Sequence, residues 1–321
     1  ILEKLPVIGG MMVVGIPEYR LPRNILAAEI ENIRRAGVDI VTGQELGKDF
    51  TVDQLLDQQG YSAVVLAIGA HQSRTMGIPG EDLEGVLHGT DFLRETNLGD
   101  PPVIEGKRVA IVGGGAVAID AARMAWRLGA SETHLIYRRT REDMPAWGDE
   151  VEAADTEGIN FHFLTNPTRV LGTDRVTGLE CARQELTEFD NSARRRPKPI
   201  PGSEFVLDVD IVIPAIGEVP EAECLQGSSG ISVNRDNTIT ISADLATTRE
   251  GVFAAGDAAM GPATVVMAVA QGNKVATAVD GYLRGHAVVQ PRFVSDHPIP
   301  QIFNVDDYEG ARRPVMPELS V

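Results

Sequence analysis

Apolar positions along the chain follow two periods. Ile25, Ile30 and Ile33 fall at helical spacing, and Gly37 comes soon after, so the pattern predicts an amphipathic helix ended by glycine. Val38-Asp39-Ile40-Val41 reads as a short strand. Tyr61–Gly69 and Asp210–Gly217 carry continuous apolar runs of strand length, which suits strands covered on both faces. Lys107–Val112 predicts another strand, Gly113–Gly115 a tight turn, Ala116–Leu128 a helix and Thr133–Tyr137 the next strand. Residues 151–200 read as a helix and a meander with a basic loop, Arg194-Arg195-Arg196. Residues 251–284 read as a strand, a loop and a long helix. The pattern is weakest in residues 1–23, read as loop, in the Pro/Gly-punctuated stretch 70–106, read as a crossing between domains, and in a tail after Gly285.

Leu66-Ala67-Ile68-Gly69 and Pro214-Ala215-Ile216-Gly217 form a weak internal repeat, as two similar nucleotide-binding units would produce. The length of 321 residues allows two domains. With 33 glycines and 5% aromatics, the chain suits an α/β protein rich in strand-to-helix turns. The net charge of −17 excludes long-range attraction to nucleic acid or to an anionic membrane. An anionic ligand must then be held by helix N-termini, glycine loops and single arginines. No apolar run is long enough to insert into a membrane. The two cysteines, Cys181 and Cys224, form no C-x-x-C and suit a reducing, cytoplasmic setting as small buried residues. They cannot hold a four-cysteine iron–sulfur cluster, and the six histidines show no metal spacing, so no metal site is assigned.

Val109–Val112 leads into Gly113-Gly114-Gly115-Ala116-Val117-Ala118, a strand running into G-x-G-x-x-A and a helix. The first glycine makes the turn, the second admits a pyrophosphate, and Ala118 lets the helix pack on the strand. After the next strand stand Arg138 and Arg139 in place of the acid expected for NAD. Guanidinium forks pair with phosphate, so both arginines are expected to hold the 2′-phosphate of NADP(H), with NAD(H) the alternative. Glu142, Asp143 and Glu150 read as surface or helix-start acids.

Gly251-Val252-Phe253-Ala254-Ala255-Gly256-Asp257 resembles the second FAD signature of flavoproteins with two dinucleotide domains. There the aspartate binds a ribityl hydroxyl, and the following helix, here from Thr264 and Val265, faces the flavin. Together with Gly9-Gly10-Met11, Gly15-Ile16-Pro17-Glu18-Tyr19-Arg20-Leu21-Pro22, Tyr137-Arg138-Arg139 and Gly261-Pro262-Ala263-Thr264, these motifs resemble the glutamate synthase small-subunit family, which includes the N-terminal part of dihydropyrimidine dehydrogenase. The resemblance runs from Glu3 to about Gly285. It implies that Glu3 binds the adenosine ribose of FAD and that Gly9, Gly10 and Met11 pass close to it. Arg20, Leu46, Gly69, Gly256, Asp257, Thr264 and Val265 complete that site, and Ala215, Ile216 and Gly217 line the nicotinamide dinucleotide. Ala116 departs from the asparagine common in the family.

The fold expected is α/β with two Rossmann-like domains. A discontinuous FAD domain, 1–97 and 238–285, receives an inserted NAD(P) domain, 98–237, and 286–321 form a tail. Because the ribose-binding acid is the third residue, the first FAD glycine loop is expected to lie upstream of Ile1. The implied activity is hydride transfer from NADPH to FAD. Electrons then pass to an iron–sulfur protein or to an N-terminal iron–sulfur domain that this chain lacks. A non-catalytic nucleotide-binding scaffold and an NADH-specific relative are the alternatives.

Overall fold

A computed structural model of the chain describes residues 1–189 and 194–285. Its centre is a four-stranded parallel sheet in the order Ile211–Pro214, Arg108–Val112, Glu132–Ile136, Asn160–His162. Successive residues of a strand face opposite sides, and this divides the core into two layers. Val109, Ile111, Leu135 and Ile213 pack against Ala118, Ile119, Ala122 and Ala125 of the helix Ala116–Arg127. Phe92 and Leu93 of the helix Gly89–Leu98 join that layer. Ala110, Val112, Ile136 and Val212 face Val170, Val176, Leu179 and Cys181 on the other side. Those residues belong to an antiparallel sheet in which Val176–Phe189 pairs with Thr165–Gly172, Arg195–Pro199 and Phe205–Leu207. Both faces of the parallel strands are thus covered, which is why they read as unbroken apolar runs.

The rest of the described chain forms a second α/β unit. Val252–Ala254 pairs in parallel with Val64–Leu66, and Leu2–Glu3 pairs in parallel with Val41–Thr42. Because 252–254 lie beside 64–66, the central sheet is inserted into this unit. Val252 and Ala254 pack with Val52, Leu66, Leu225 and Ile239. Phe253 and Ala255 on the opposite side pack with Val275 and Ala278 of the long helix Val265–Arg284. The chain leaves this unit near 72–73 and returns near 218–219. At that crossing Gln72–Ser73 and Glu218–Val219 pair antiparallel.

Several expectations shift. The helix of the first segment is Arg23–Arg35, but it buries Leu26 and leaves Ile25 and Ile33 exposed. Leu26 packs against Gly9, and the Arg23 guanidinium donates to the Met12 carbonyl at 3.0 Å. The strand expected at 38–41 lies at Val41–Thr42, and 1–23 hold a short strand and a helical turn, Met11–Val14. The crossing 70–106 contains the helix Gly89–Leu98, ended by Gly99 in the left-handed conformation. Cys181 is buried as expected and Cys224 is half-buried. Among the described residues no helix is long and apolar enough to cross a membrane. The expected tail, 286–321, and residues 190–193 beside the basic loop lie outside the described residues.

Candidate functional site

The order of the parallel sheet reverses at Arg108–Val112. Its successors step to one side, whereas Ile211–Pro214 lies on the other. Ligands of open α/β sheets bind at such a switch point, beyond the carboxyl ends of the strands. Gly113 sits there with φ +147°, and a Cβ on it would fall on the Ala215 carbonyl oxygen. Gly113 N donates to Ile136 O at 3.0 Å and Ala215 N donates to Val112 O at 2.8 Å, so loop and neighbouring strand are locked together. A Cβ on Gly114 would lie 2.5 Å from the Tyr137 ring. The Gly114 carbonyl accepts from Ala146 N at 3.1 Å. Gly115, by contrast, has nothing within 4 Å of where its Cβ would be. It precedes Ala116 and Val117, whose N–H groups open the helix Ala116–Arg127. First-turn N–H groups have no carbonyl of their own helix to bond. The open space in front of them, at the positive end of the helix dipole, fits a pyrophosphate.

The structure separates the two arginines read as phosphate ligands. Arg138 is exposed. Arg139 is 5% exposed, and its Nε donates to the Arg195 carbonyl at 2.8 Å. Consecutive residues leaving a strand point to opposite sides, so only Arg138 reaches solvent beside the glycine loop. Ala215 is buried, Ile216 is exposed and Gly217 is half-buried.

The residues read as flavin contacts lie in the second unit. Glu3 ends the strand Leu2–Glu3, and its Oε1 accepts from Leu5 N at 2.8 Å. Gly9 and Gly10 have positive φ and lead into Met11–Val14. Leu46 packs at the edge of the core containing Leu66, and Gly69 follows the strand Val64–Leu66 with φ +70°. Gly256, at φ +71°, follows Val252–Ala254 and donates its N–H to the buried Gln271 Oε1 at 2.6 Å. Asp257 is half-buried, and its Oδ1 accepts from Ala263 N at 3.1 Å. Burial raises its pKa above the ordinary aspartate value, and the Ala263 hydrogen bond opposes this. Thr264 caps the helix Val265–Arg284 by accepting from Met267 N at 3.3 Å. Val265, Val266, Met267 and Val269 at its start are exposed. Gly10 and Gly256 both open onto space where a side chain would go. Two open glycine cradles, two carboxylates and an uncovered apolar helix start fit FAD, whose polar chain and flat ring need both kinds of contact.

Three residues form a contact that the sequence did not reveal. Arg20 donates to Asp120 Oδ2 at 2.5 Å and also pairs with Glu150. Arg20 was read only as a flavin contact, yet its guanidinium bridges from the second unit to two carboxylates of the parallel-sheet unit. Asp120 lies one turn behind the glycine loop, and Glu150 lies in the first turn of Gly148–Thr156. Glu150 is therefore a helix-start acid as expected, and a cross-unit partner as well. Asp120 Oδ1 and Glu150 Oε2 are buried without a partner among the described residues. Burial pushes the Asp120 carboxyl up to about 6, against the pull of Arg20. Beside the clasp, the guanidiniums of Arg123 and Arg127 lie 4.8 and 4.3 Å from the centre of the Tyr19 ring. The one available signal was an acid inside the otherwise apolar Ala116–Ala122 stretch, because a buried charge needs a partner.

Residues 8–272 match the pyridine nucleotide-disulphide oxidoreductase family. The chain belongs to that family. Among relatives, it is 51% identical to the NADP(+)-dependent formate dehydrogenase subunit beta of Moorella thermoacetica, over 88% of this chain and 40% of that one. It is 36% identical to the glutamate synthase [NADPH] small chain of Halomonas elongata, over 88% of this chain and 62% of that one. The resemblance to the glutamate synthase small-subunit group therefore holds, and the chain spans about half the length of these relatives. Mycobacterium tuberculosis FprA in complex with NADPH shares the fold of this chain. Its TM-score is 0.73 at 20% identity, covering 88% of this chain and 77% of that chain.

Proposed function

We propose that this chain takes a hydride from NADPH onto FAD and feeds single electrons to an iron–sulfur acceptor. The observation that carries the reading is the continuity of the two loops. The Gly113 turn packs on Ala215. The chain runs from there through Gly217 into the crossing strand Glu218–Val219, and the Glu218 carboxyl lies within electrostatic reach of Asp257. A dinucleotide held at the first loop and a flavin held at the second would meet at this crossing.

Each group then has a task. The first-turn N–H groups of Ala116 and Val117 would hold the pyrophosphate, and Arg138 the 2′-phosphate. Glu3 and Asp257 would accept hydrogen bonds from ribose and ribityl hydroxyls. Thr264 and the helix behind it would present positive potential to the flavin edge that gains negative charge on reduction. Bound FAD supplies the hydride acceptor and the conversion to one-electron steps; the protein supplies position and electrostatics.

The inserted unit is bounded by the crossings near 72–73 and 218–219 and not by the expected limits of 98 and 237, because Phe92 and Leu93 pack in the parallel-sheet core and Leu225 packs in the core of the second unit. The relatives named as NADP(+)- and NADPH-dependent favour NADPH over NADH, in agreement with an exposed Arg138 and no acid at that strand end. Disulfide exchange is disfavoured as the second half of the cycle. Burial pushes the Cys181 thiol up to about 12 and the Cys224 thiol up to about 11, so neither ionises near neutral pH. This leaves an external carrier, and a reducing, cytoplasmic setting fits two such thiols. Anaerobic addition of NADPH to the FAD-loaded protein tests the reading, because bleaching of the flavin band requires both sites and their juxtaposition.

A further inference from the structure

The crossing between the two units holds a carboxylate with no assigned task. Glu218 follows Gly217 directly and pairs with Ser73 on the outgoing strand, while Arg74 N donates to the Gly217 carbonyl at 2.9 Å. One carboxylate oxygen, Oε1, faces the buried Thr90 hydroxyl at 3.5 Å, the outer limit of a hydrogen bond. Thr90 belongs to the helix Gly89–Leu98, whose first residue is pressed against the end of the parallel sheet. A Cβ on Gly89 would lie 3.0 Å from Ala215 Cβ and 3.1 Å from Pro214 O. Glu218 is thereby placed between the carboxyl end of the parallel sheet and the Asp257 loop. Arg74 favours its ionised form, and Asp257 acts in the opposite sense. No ion pair to Arg74 is formed among the described residues, and burial is the largest influence on the carboxyl, raising its pKa and leaving it to be stabilised as an anion by a cation from outside the chain.

We propose that Glu218 is the electrostatic partner of the nicotinamide ring, stabilising the positive charge that the ring acquires when it gives up its hydride. The inference rests on the hydride-transfer reading above. In that step the C4–H bond of the dihydronicotinamide breaks with both electrons, a bond to flavin N5 forms, and the neutral ring becomes a cation. A carboxylate fixed near the ring in a half-buried crevice favours the cationic state and lowers the barrier leading to it, because charge–charge interactions are strengthened away from bulk water. The group discriminates by charge, so it separates the oxidised from the reduced dinucleotide and leaves the phosphate contacts untouched.

Calorimetric binding to the FAD-loaded protein tests this with three probes. NADP+ has a cationic ring, 1,4,5,6-tetrahydro-NADP has a neutral ring that cannot give a hydride, and 2′-phospho-ADP-ribose has no ring. The unsubstituted protein should bind NADP+ about tenfold more tightly than the tetrahydro analogue, as one carboxylate near the ring provides. Glu218→Gln should remove that preference and leave 2′-phospho-ADP-ribose binding unchanged, whereas Glu218→Asp should retain most of it. Equal affinity of the unsubstituted protein for both ring forms would overturn the proposal without any variant. So would a Glu218→Gln protein that keeps the preference, or one that loses all three probes equally, since the latter marks a structural role. If the unsubstituted protein bound none of the probes, the dinucleotide reading itself would fall and this inference with it.

Discussion

Replacing Arg20 with alanine should destabilise the protein in a strongly pH-dependent way. The Asp120 side chain is 5% exposed and that of Glu150 is 15% exposed, and Arg20 is the cation that pairs with both. Breaking a buried pair by removing one partner costs about 3–5 kcal/mol, because a charge is left uncompensated. The pH dependence comes from Asp120. Its carboxyl ionises at about 6 in the folded chain, against an ordinary value of 3.8. The protonated form therefore favours the fold: this contribution is complete below about pH 4 and is lost as pH rises through about 6. Two pKa units correspond to about 3 kcal/mol. Arg20 already restrains that shift, so its removal moves the folded value higher and enlarges the cost of ionised Asp120. At pH 5 the carboxyl is protonated with or without Arg20, and the loss falls to about 1 kcal/mol, that of a hydrogen bond. Urea unfolding of flavin-stripped protein at pH 5 and pH 8 measures the difference, free of the stabilisation that bound flavin would add. Arg20→Ala should cost at least about 2 kcal/mol more at pH 8 than at pH 5. The difference should shrink in the double variant Arg20→Ala/Asp120→Asn. An equal loss at both pH values would refute the reasoning.

Other substitutions separate binding from folding. Arg138→Ala should raise the NADPH KM about tenfold or more and leave the NADH KM unchanged, as the loss of a charge-assisted phosphate contact predicts. Arg139→Ala should instead lower the melting temperature, because that side chain is buried on the Arg195 carbonyl. Gly113→Ala forces a Cβ onto the Ala215 carbonyl at a φ that L-residues avoid. It should destabilise by about 1–3 kcal/mol and abolish NADP+ binding by calorimetry; wild-type affinity would contradict the loop geometry. Asp257→Ala should release FAD by one to two decades in affinity, the effect of about 1–3 kcal/mol. Full flavin retention with a lowered melting temperature would reduce Asp257 to a loop-stabilising role.

The parallel sheet was legible in the sequence because its strands are covered on both faces and so read as apolar runs ending in glycine. The Gly113 loop was legible because turn, close approach and helix packing each demand a small residue at a fixed spacing. The helix Gly89–Leu98 escaped because its buried apolar residues, Phe92 and Leu93, are neighbours and do not lie three or four apart, so no stripe forms. Helical spacing found Arg23–Arg35 but misjudged its face, since Leu26 and not Ile25 or Ile33 meets the core. The difference between Arg138 and Arg139 needs the direction in which each leaves the strand, which adjacent identical residues cannot disclose. The clasp joins Arg20 to Asp120 across 100 residues, and nothing local in the sequence pairs them. The same is true of Glu218, whose setting is created by the crossing of 72–73 with 218–219.

The central claim is that one chain holds a dinucleotide loop and a flavin loop close enough for hydride transfer. An anaerobic titration of the FAD-loaded protein with NADPH, followed in the flavin absorbance band, tests it most directly. The account predicts bleaching with one equivalent of NADPH per flavin, and markedly slower bleaching with NADH. A flavin band that persists with saturating NADPH, in protein shown by calorimetry to bind both ligands, would contradict it.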